Sequence, residues 1–443
     1  MVMAMSVTAF ADGATLTAHD ATESDNEVVR ILKEITVYNP ADSTVNEPTA
    51  TYTYKIAAGS AGQSITDNTS PTAITVQTKA GVGIANIKMS SQTDSTASTR
   101  SQVTVTYTPS AGTLTATAAG TANTKWIDID FSDVNFGAAG VYRYTITEDL
   151  DGSGSSLVYG TNGIIEGSTG HARYLDVYVK QADGFTNGET AAQWTVYGYA
   201  LFTTDDTAIA PSNEATLYKT TGFTADSSNS KTADAYYTYN VTVSKDVVND
   251  FAMNGHDFEF VFLFENATVS ANVLPIITAT GVTEGSYTGD FASLLDTSTT
   301  SYSASAWASA ANLNGVKYAA KINSGESVVF TGLPAGTTVT AKEYNDVTGT
   351  TYMAKTTTAT TNLSEAALSW NTWSGSAAAN VVAKTVGQDM SSDNNVTVDF
   401  TNTLAQISPT GVVLRIAPYA LMLAAGVVLL VLSRRRRNKA EEA

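Results

Sequence analysis

Two lysines and two glutamates stand at matching places in the two halves of the chain, each within a largely apolar stretch. Lys33 lies in the run ILKEITV and Lys245 in the run VTVSKDV, and a later strand-like run of each half ends in Glu148 or Glu343. Burial lowers the pKa of a lysine, which makes its neutral amine a nucleophile. Burial also raises the pKa of a glutamate, which can then act as an acid. A lysine and a glutamate inside a protein core are therefore candidates for chemistry at an amine.

Most of the body alternates polar residues with β-branched and aromatic residues, a pattern typical of strands. Runs of this kind include ATYTYKI at 50–56, VYRYTIT at 141–147, FEFVFLF at 258–264 and VTVDF at 396–400. Gly, Asn, Asp and Pro bound the runs, and no long stretch of the body has a helical period. The pattern predicts an all-β fold of immunoglobulin-like β-sandwich domains.

The matching lysine and glutamate stretches divide the body into two tandem domains. The first is predicted at 30–235 and the second at 236–404. The junction is expected within 225–237, because this segment is rich in Ser, Asp and Asn, as linkers commonly are. At the start of the chain, residues 1–11 end in the small-x-small pattern that precedes a signal peptidase cut. We interpret them as the remnant of a signal peptide.

Composition argues against several classes of function. The formal net charge is −18 with 15% charged residues, whereas a nucleic-acid-binding surface needs clustered Lys and Arg. The chain has no cysteine, so disulfides cannot stabilise it. Its histidines, His19, His171 and His256, are too scattered for a zinc site, and neither a metal nor another cofactor is predicted. The sequence has no nucleophile elbow and no persuasive carboxylate pair, so an enzyme is not predicted.

The C-terminal end carries three trafficking features in a fixed order. Residues 407–411 read ISPTG, an apolar span follows at 412–433, and four arginines come next at 434–437. As a helix, the span would be about one hydrocarbon thickness long, and the arginines match the positive-inside pattern. A C-terminal transmembrane helix is therefore predicted. The three features together resemble a cell-wall sorting signal of the LPXTG type, with Ile-Ser in place of Leu-Pro.

This resemblance, which covers 407–443, implies processing by a sortase. The enzyme would cleave between Thr410 and Gly411 and would transfer the Thr410 carboxyl to an amine. The resemblance also implies a Gram-positive cell-surface location, with covalent attachment to the peptidoglycan of the cell wall.

The body of the chain resembles the pilin isopeptide-linkage family, which includes the streptococcal T-antigen backbone pilins. The matching stretches are VSK at 243–245, GLPAGTTVTAKE at 332–343, FTN at 400–402 and GVYRYTITE at 140–148. The resemblance implies an intramolecular amide between Lys245 and Asn402, formed with loss of ammonia and assisted by Glu343. This amide would bridge the first and last strands of the second domain, and pulling force would pass through it.

The first domain matches the family less completely. Lys33 and Glu148 occupy the equivalent positions, but no Phe-x-Asn closes the domain, and Ala225 stands where its asparagine would be. Asn229 and Asn240 are the nearby alternatives. We favour Asn240 as the partner of Lys33 because it lies on a strand-like run, with Glu148 assisting the bond.

A polymer also needs an amine that accepts the Thr410 acyl group. In the family this amine belongs to a lysine near the end of the first domain, and Lys219 is the predicted acceptor, with Lys180 and Lys231 as alternatives. The predicted function is a pilus backbone subunit whose partners are a sortase and other pilin subunits. The alternative is a monomeric wall-anchored adhesin that presents the first domain to a host ligand.

Overall fold

The structure, a computed structural model, consists mainly of strands. It describes residues 27–62, 64–67, 74–99, 101–109, 112–149, 163–181, 194–205, 220–227, 230–248, 258–266, 269, 276–280, 283–284, 316–344, 354–361, 380–385, 396–404 and 422–434. The strands of the first half are β1 (Val28–Tyr38), β2 (Thr44–Asn46), β3 (Ala50–Ala58), β4 (Ser64–Asp67), β5 (Ile74–Ala80), β6 (Lys88–Ser91), β7 (Asp94–Thr99), β8 (Gln102–Tyr107), β9 (Thr113–Thr115), β10 (Thr121–Asp130), β11 (Gly140–Asp149), β12 (Ile164–Ile165), β13 (Ala172–Gln181), β14 (Trp194–Phe202) and β15 (Gly222–Phe223). The later strands are β16 (Asp234–Val248), β17 (Phe258–Glu265), β18 (Ile276–Thr280), β19 (Thr283–Glu284), β20 (Val316–Ile322), β21 (Ser327–Pro334), β22 (Thr338–Tyr344), β23 (Ala354–Thr361), β24 (Asn380–Thr385) and β25 (Val396–Leu404). The predicted all-β fold is confirmed.

Two sheets of the first half share one hydrophobic core. One sheet runs in the order β14-β13-β11-β3-β8, and the other contains β1, β10, β6 and β7. Strand β3 explains how the sequence produces this packing, because every second residue from Ala50 to Ile56 is buried. Its Tyr52 and Tyr54 join the same core cluster as Ile35 of β1. The alternation of the sequence thus turns one face of each sheet inward.

The second half has a similar arrangement with a more aromatic core. Its sheets run in the orders β18-β21-β16-β25-β23 and β19-β20-β17-β22-β24. Phe260 of β17 packs edge-on against Phe400 of β25, with ring centroids 5.1 Å apart. Phe262 makes the same kind of contact with Phe330 of β21 at 5.0 Å. These aromatic pairs therefore join the two sheets.

Strand β16 pairs with strands of both halves, because its partner changes partway along. Residues 234–237 pair in parallel with β1, whereas the strand pairs with β21 from Thr238 and in parallel with β25 from Val241. The end of the expected linker segment, 225–237, is therefore part of a continuous 15-residue strand. The exact division into domains at 30–235 and 236–404 stays a prediction.

Side chains fix β1 to β16 at this change of partner. The rings of Tyr38 and Tyr237 stack with centroids 4.5 Å apart and an interplanar angle of 5°. The Asn39 side-chain amide donates to Thr238 Oγ1 at 3.1 Å and to Asn240 Oδ1 at 3.0 Å. Both contacts hold the end of β1 and the residue after it beside the strand that enters the second half.

A helix covers residues 422–434, and its large apolar side chains are exposed. In the part of the chain that the structure describes, no helix is long and apolar enough to cross a membrane. The predicted span at 412–433 begins outside the described residues, and the predicted signal peptide remnant at 1–11 and the motif at 407–411 lie entirely outside them.

Replacing Phe262 with alanine is expected to lower the free energy of unfolding by about 3–5 kcal/mol, because a fully buried ring leaves a cavity in a close-packed core. Glu265→Ala is the matched control on the same strand. Its side chain is exposed, so the expected change is within about 0.5 kcal/mol. Urea unfolding of the full chain measures both values, and equal effects of the two substitutions would contradict this packing.

Candidate functional site

Three strands bring Lys33, Glu148 and Asp234 together in the core of the first half. We call these three residues, from β1, β11 and the start of β16, the first centre. The Lys33 Nζ donates to Glu148 Oε2 at 2.9 Å and to Asp234 Oδ2 at 2.7 Å. Each of the three side chains is at most 3% exposed. One buried ammonium therefore lies between two carboxylates.

Two tyrosines of β3 and one backbone amide add hydrogen bonds to the carboxylates. Tyr54 donates its hydroxyl to Glu148 Oε2 at 2.6 Å, and Tyr52 donates to Asp234 Oδ2 at 2.9 Å. The Gly167 N–H donates to Asp234 Oδ1 at 2.9 Å. The lysine ammonium of this centre also lies 4.0 Å from the ring centroid of Tyr52, a cation–π contact. Hydrogen bonds of this kind offset the cost of burying the charges.

The Glu148 carboxyl is ionised in this arrangement. Burial acts to raise its pKa, but the charge of Lys33 and the hydrogen bonds from His171, Tyr54 and Lys33 lower it, and the net result is a pKa of about 2. The expectation that this glutamate has a raised pKa is therefore wrong, because other influences outweigh burial. Donors and a neighbouring positive charge favour the charged form by more than desolvation disfavours it.

The structure does not bring Asn240, the favoured partner of Lys33, to the first centre. The Asn240 side-chain amide donates to Ser43 Oγ at 2.7 Å, and its oxygen accepts from Asn39 at 3.0 Å. At about 3.3 Å per residue, Asn240 lies about 20 Å beyond Asp234 along β16. The position beside Lys33 is therefore occupied by an aspartate.

Asp234 is the site residue that sequence reasoning missed. The family resemblance pointed to an asparagine, and one aspartate has no distinct signal among 42 acidic residues. Of the other positions considered, Ala225 donates its backbone N–H to Glu34 Oε2 at 3.2 Å, and Asn229 lies outside the described residues. Only the folded chain shows that Asp234 begins the strand that also contains Lys245.

A second centre surrounds Lys245 in the core of the second half. Lys245 is 1% exposed, and its Nζ lies 3.5 Å from Oε1 of the buried Glu343 on β22. The same ammonium donates to the backbone oxygen of Asp246 at 2.9 Å and lies 4.4 Å from the ring centroid of Phe258. The structure thus brings this lysine and this glutamate together, and their part in bond formation stays a prediction.

Asn402 lies on β25, the strand next to Lys245. The two strands are parallel, with Lys245 opposite Phe400 and Val247 opposite Asn402. Alternate residues of a strand share a face, so position 402 is on the same face of β25 as Phe400, whose side chain is buried. The Asn402 side chain is outside the described part, and its contact with Lys245 stays a prediction.

Burial makes Lys245 a stronger nucleophile than a solvated lysine at neutral pH. Desolvation lowers its pKa, the charge of Glu343 and its hydrogen bond raise it, and the net pKa is about 8 instead of 10.5. A substantial fraction of this amine is therefore neutral near physiological pH, as attack on a carbonyl carbon requires.

The residues predicted for processing and polymerisation are mostly beyond the described part of the chain. Thr410, Gly411 and Lys219 lie outside it. The alternative acceptors are inside it and exposed. Lys180 lies near the end of β13, and Lys231 exchanges two backbone hydrogen bonds with Asp226. Among the described residues, no group of three His, Cys, Asp or Glu side chains could hold a metal ion.

No family model matches the chain, and no curated protein matches it significantly. Structures that resemble it include the major pilin from Streptococcus pyogenes, at 18% identity over 85% of this chain and 98% of that chain, with a TM-score of 0.35. The major pilin of Streptococcus pyogenes serotype GAS13637 matches at 16% identity over 86% and 100%, with a TM-score of 0.35. A Mobiluncus mulieris adhesin with intramolecular disulfide, isopeptide and ester bond cross-links matches at 12% identity over 85% and 98%, with a TM-score of 0.23. With TM-scores this low, the function has to be argued from the residues of this chain.

In an Asn402→Ala variant, which keeps Lys245 as a free amine, this lysine is expected to titrate with a pKa of about 8, because burial is the largest influence on it. NMR of the full chain with ¹³C-labelled lysine measures the value, and Lys245→Arg identifies the signal. A titration at the ordinary value of 10.5 would contradict the buried position of the amine.

Proposed function

We propose that the chain is a structural protein of the Gram-positive cell surface, a pilus backbone subunit whose two halves are each closed by an intramolecular amide. The bonds are Lys33–Asp234 in the first half and Lys245–Asn402 in the second. The observation that carries the proposal is the first centre, where one buried amine contacts both a carboxylate acceptor and a second carboxylate that can move protons. Amide formation converts two buried charges into a neutral bond, which removes their desolvation cost.

The Lys33–Asp234 reaction balances without an external proton donor. The ammonium first passes a proton to the Asp234 carboxylate, which gives a neutral amine and a neutral acid. The amine attacks the Asp234 carbonyl carbon, and Glu148 takes a proton from the nitrogen of the tetrahedral adduct. Glu148 then passes that proton to the departing hydroxyl, the C–O bond breaks, and water leaves. Glu148 is thus ionised at both ends of the cycle, in keeping with its lowered pKa.

The Lys245–Asn402 reaction releases ammonia. The neutral Lys245 amine attacks the carboxamide carbon, and Glu343 takes a proton from the attacking nitrogen and passes it to the departing nitrogen. A C–N bond to Lys245 forms as the C–N bond to the leaving ammonia breaks. The lowered pKa of Lys245 supports this step, because it supplies the neutral amine near physiological pH.

Both bonds would be attached to the same strand, β16. Asp234 begins this strand, Lys245 lies near its end, and the crosslinked partners lie on β1 and β25, which pair with it in parallel. Pulling on these strands shears their hydrogen bonds, each of which contributes only about 1 kcal/mol. The covalent amides would carry the load instead, which is what a subunit of an extended fibre requires.

The intact mass of the full chain tests the two bonds separately. We expect a loss of about 18 Da as water from the first half and about 17 Da as ammonia from the second, because the two acceptors release different groups. Asp234→Asn should change the first loss to ammonia, and Asp234→Ala or Glu148→Gln should abolish it. Asn240→Ala is the control and should keep both losses.

Persistence of the first loss in Asp234→Ala would reject the Lys33–Asp234 bond. Two losses of about 17 Da in wild type, one of which disappears in Asn240→Ala with folding intact, would instead support the partner that the sequence favoured.

Polymerisation distinguishes the pilus subunit from the adhesin. In the proposal a sortase cleaves between Thr410 and Gly411 and transfers Thr410 to Lys219 of the next subunit, with the last subunit joined to peptidoglycan. Wall extracts of cells that carry the gene should then give a ladder of bands that resists SDS, and Lys219→Arg should abolish it. Lys180→Arg and Lys231→Arg are the matched controls that should keep it.

A single band from wild-type wall extracts would reject the pilus reading and favour a monomeric adhesin that binds a host ligand. A ladder that survives Lys219→Arg but disappears in Lys231→Arg or Lys180→Arg would move the acceptor to that lysine.

A further inference from the structure

His171 lies at the edge of the first centre, opposite Glu148 and partly exposed to solvent. The Glu148 backbone N–H donates to His171 O at 2.8 Å, which extends the antiparallel pairing of β11 with β13 by one residue beyond Thr147 and Ala172. Residues directly opposite each other in such a pair project from the same face of the sheet. The strand pairing therefore places the imidazole beside the carboxylate that is proposed to move protons.

Both nitrogens of the His171 ring lie beside carboxylates. Nδ1 is 3.4 Å from Oε1 of Glu148, and Nε2 is 2.8 Å from Oε1 of Glu166. The imidazole is 35% exposed, whereas the Glu148 side chain is 1% exposed and the Glu166 side chain is 51% exposed. An ionised carboxylate only accepts hydrogen bonds, and a neutral imidazole has one N–H to donate, whereas the protonated ring has two. The two contacts therefore fit the imidazolium form.

The segment that contains Glu166 also contacts the acceptor of the first centre. Gly167 donates its N–H to Asp234 Oδ1 at 2.9 Å. The Ser168 N–H donates to Thr232 O at 2.9 Å, and the Thr232 N–H donates to Ser168 Oγ at 3.0 Å. A Cβ atom at Gly167 would lie 2.2 Å from Thr232 O, so this close approach requires glycine. The segment 166–168 thus contacts one carboxylate of the centre through the histidine and the other directly.

The charged and titratable groups around His171 belong to several strands. They are Lys33 of β1, Tyr54 of β3, Glu148 of β11, Glu166, Arg173 of β13 and Asp234 of β16. Burial raises the pKa of Tyr54 well above its ordinary value, Glu148 has a pKa of about 2, and Arg173 has a pKa of about 10. The hydrogen bond to Glu148 raises the pKa of His171, burial opposes it, and the hydrogen bond to Glu166 raises it further. His171 therefore changes its charge in a pH range in which these three neighbours keep theirs.

We propose that His171, held by Glu166, is a positioning residue that keeps Glu148 ionised and turned toward Lys33 while this lysine loses its charge. The idea rests on the proposed Lys33–Asp234 bond. Glu148 contacts the lysine through Oε2 and the histidine through Oε1, so the two contacts fix both oxygens. When Lys33 passes its proton to Asp234, Glu148 loses a charged partner, whereas the reaction does not consume the contact with His171. A protonated His171 therefore stabilises the steps that follow, and a neutral one stabilises them less.

The pH dependence of bond formation tests the proposal. The full chain is purified unfolded in urea and refolded by dilution at about pH 5 to about pH 9, and intact mass follows the loss of about 18 Da. Tryptophan fluorescence, recorded in parallel, separates folding from bond formation. The comparison is with His171→Gln, which keeps an N–H donor without the charge. Wild type should react about tenfold faster than this variant at about pH 6, and the ratio should approach 1 as pH rises through the raised pKa of His171.

Glu166→Gln should move the fall in rate to lower pH, because it removes a carboxylate that raises the pKa of His171. Glu265→Gln is the matched control, since it removes the same charge from an exposed position in the second half, and it should leave the profile unchanged. Equal rates of wild type and His171→Gln at every pH would overturn the proposal. If His171→Gln does not fold, the Glu166→Gln profile decides, because that side chain is half exposed, and an unshifted profile would then overturn the proposal.

A titration of Lys33→Met distinguishes failure of this proposal from failure of the crosslink. The variant cannot form the bond, and it lacks the lysine charge, as the amide does. NMR of the full chain with ¹³C-labelled glutamate, assigned with Glu148→Gln, gives the pKa of Glu148. Adding His171→Gln should raise this pKa by about 1 unit, the low end of the usual effect of a nearby opposite charge, and an unchanged value would overturn the proposal. A wild type without the loss of about 18 Da at any pH would reject the bond and any role of His171 in it, while the titration would still show whether His171 keeps Glu148 ionised.

Discussion

One ammonium held between two carboxylates in a dry core is the constraint on which the first half of the molecule depends. Lys33 meets Glu148 and Asp234 from positions 115 and 201 residues away, so the contact ties three distant strands together. Burying three charges is favourable only when each is paired and hydrogen-bonded. Tyr52 and Tyr54 supply those bonds, and the strand alternation of β3 is what points both tyrosines inward. The same contact places the Lys33 amine against the Asp234 carboxyl group. The ion pairs that tie the strands together therefore also bring the reacting groups together.

The two centres use the same residue types but differ in how they make an amine reactive. In the second centre Lys245 has one carboxylate at 3.5 Å and aromatic neighbours, and burial leaves it with a pKa of about 8. In the first centre two carboxylates face one lysine, and the acceptor can take a proton from it directly. An asparagine acceptor cannot take that proton, so the second centre depends on the lowered pKa of Lys245 for its neutral amine. Strand β16 contains Asp234 of the first centre and Lys245 of the second. A pulling force that enters one half would therefore pass to the other half along the backbone of this strand.

The sequence alone could predict the parts that depend on local pattern. Alternation predicted the strands, and the two Lys and Glu runs predicted pairs that the structure brings together. It could not predict Asp234, because choosing an acceptor requires knowing which strand lies beside β1, and that pairing is set by contacts far apart in the chain. It also could not predict the lowered pKa of Glu148. Burial alone gives the opposite sign, and the hydrogen bonds from Tyr54 and His171 that reverse it appear only in the folded chain.

The most direct test of the account is a tryptic digest of the purified full chain, followed by fragmentation of any branched peptide. Trypsin cannot cut after a lysine whose amine is an amide. The account predicts no cleavage after Lys33 and a branched product in which the peptide that holds both Asp234 and Lys245 is joined through Asp234 to the Lys33 side chain and through Lys245 to the peptide of Asn402. Linear peptides that end at Lys33, together with an Asp234 peptide that carries no Lys33 branch, would contradict it.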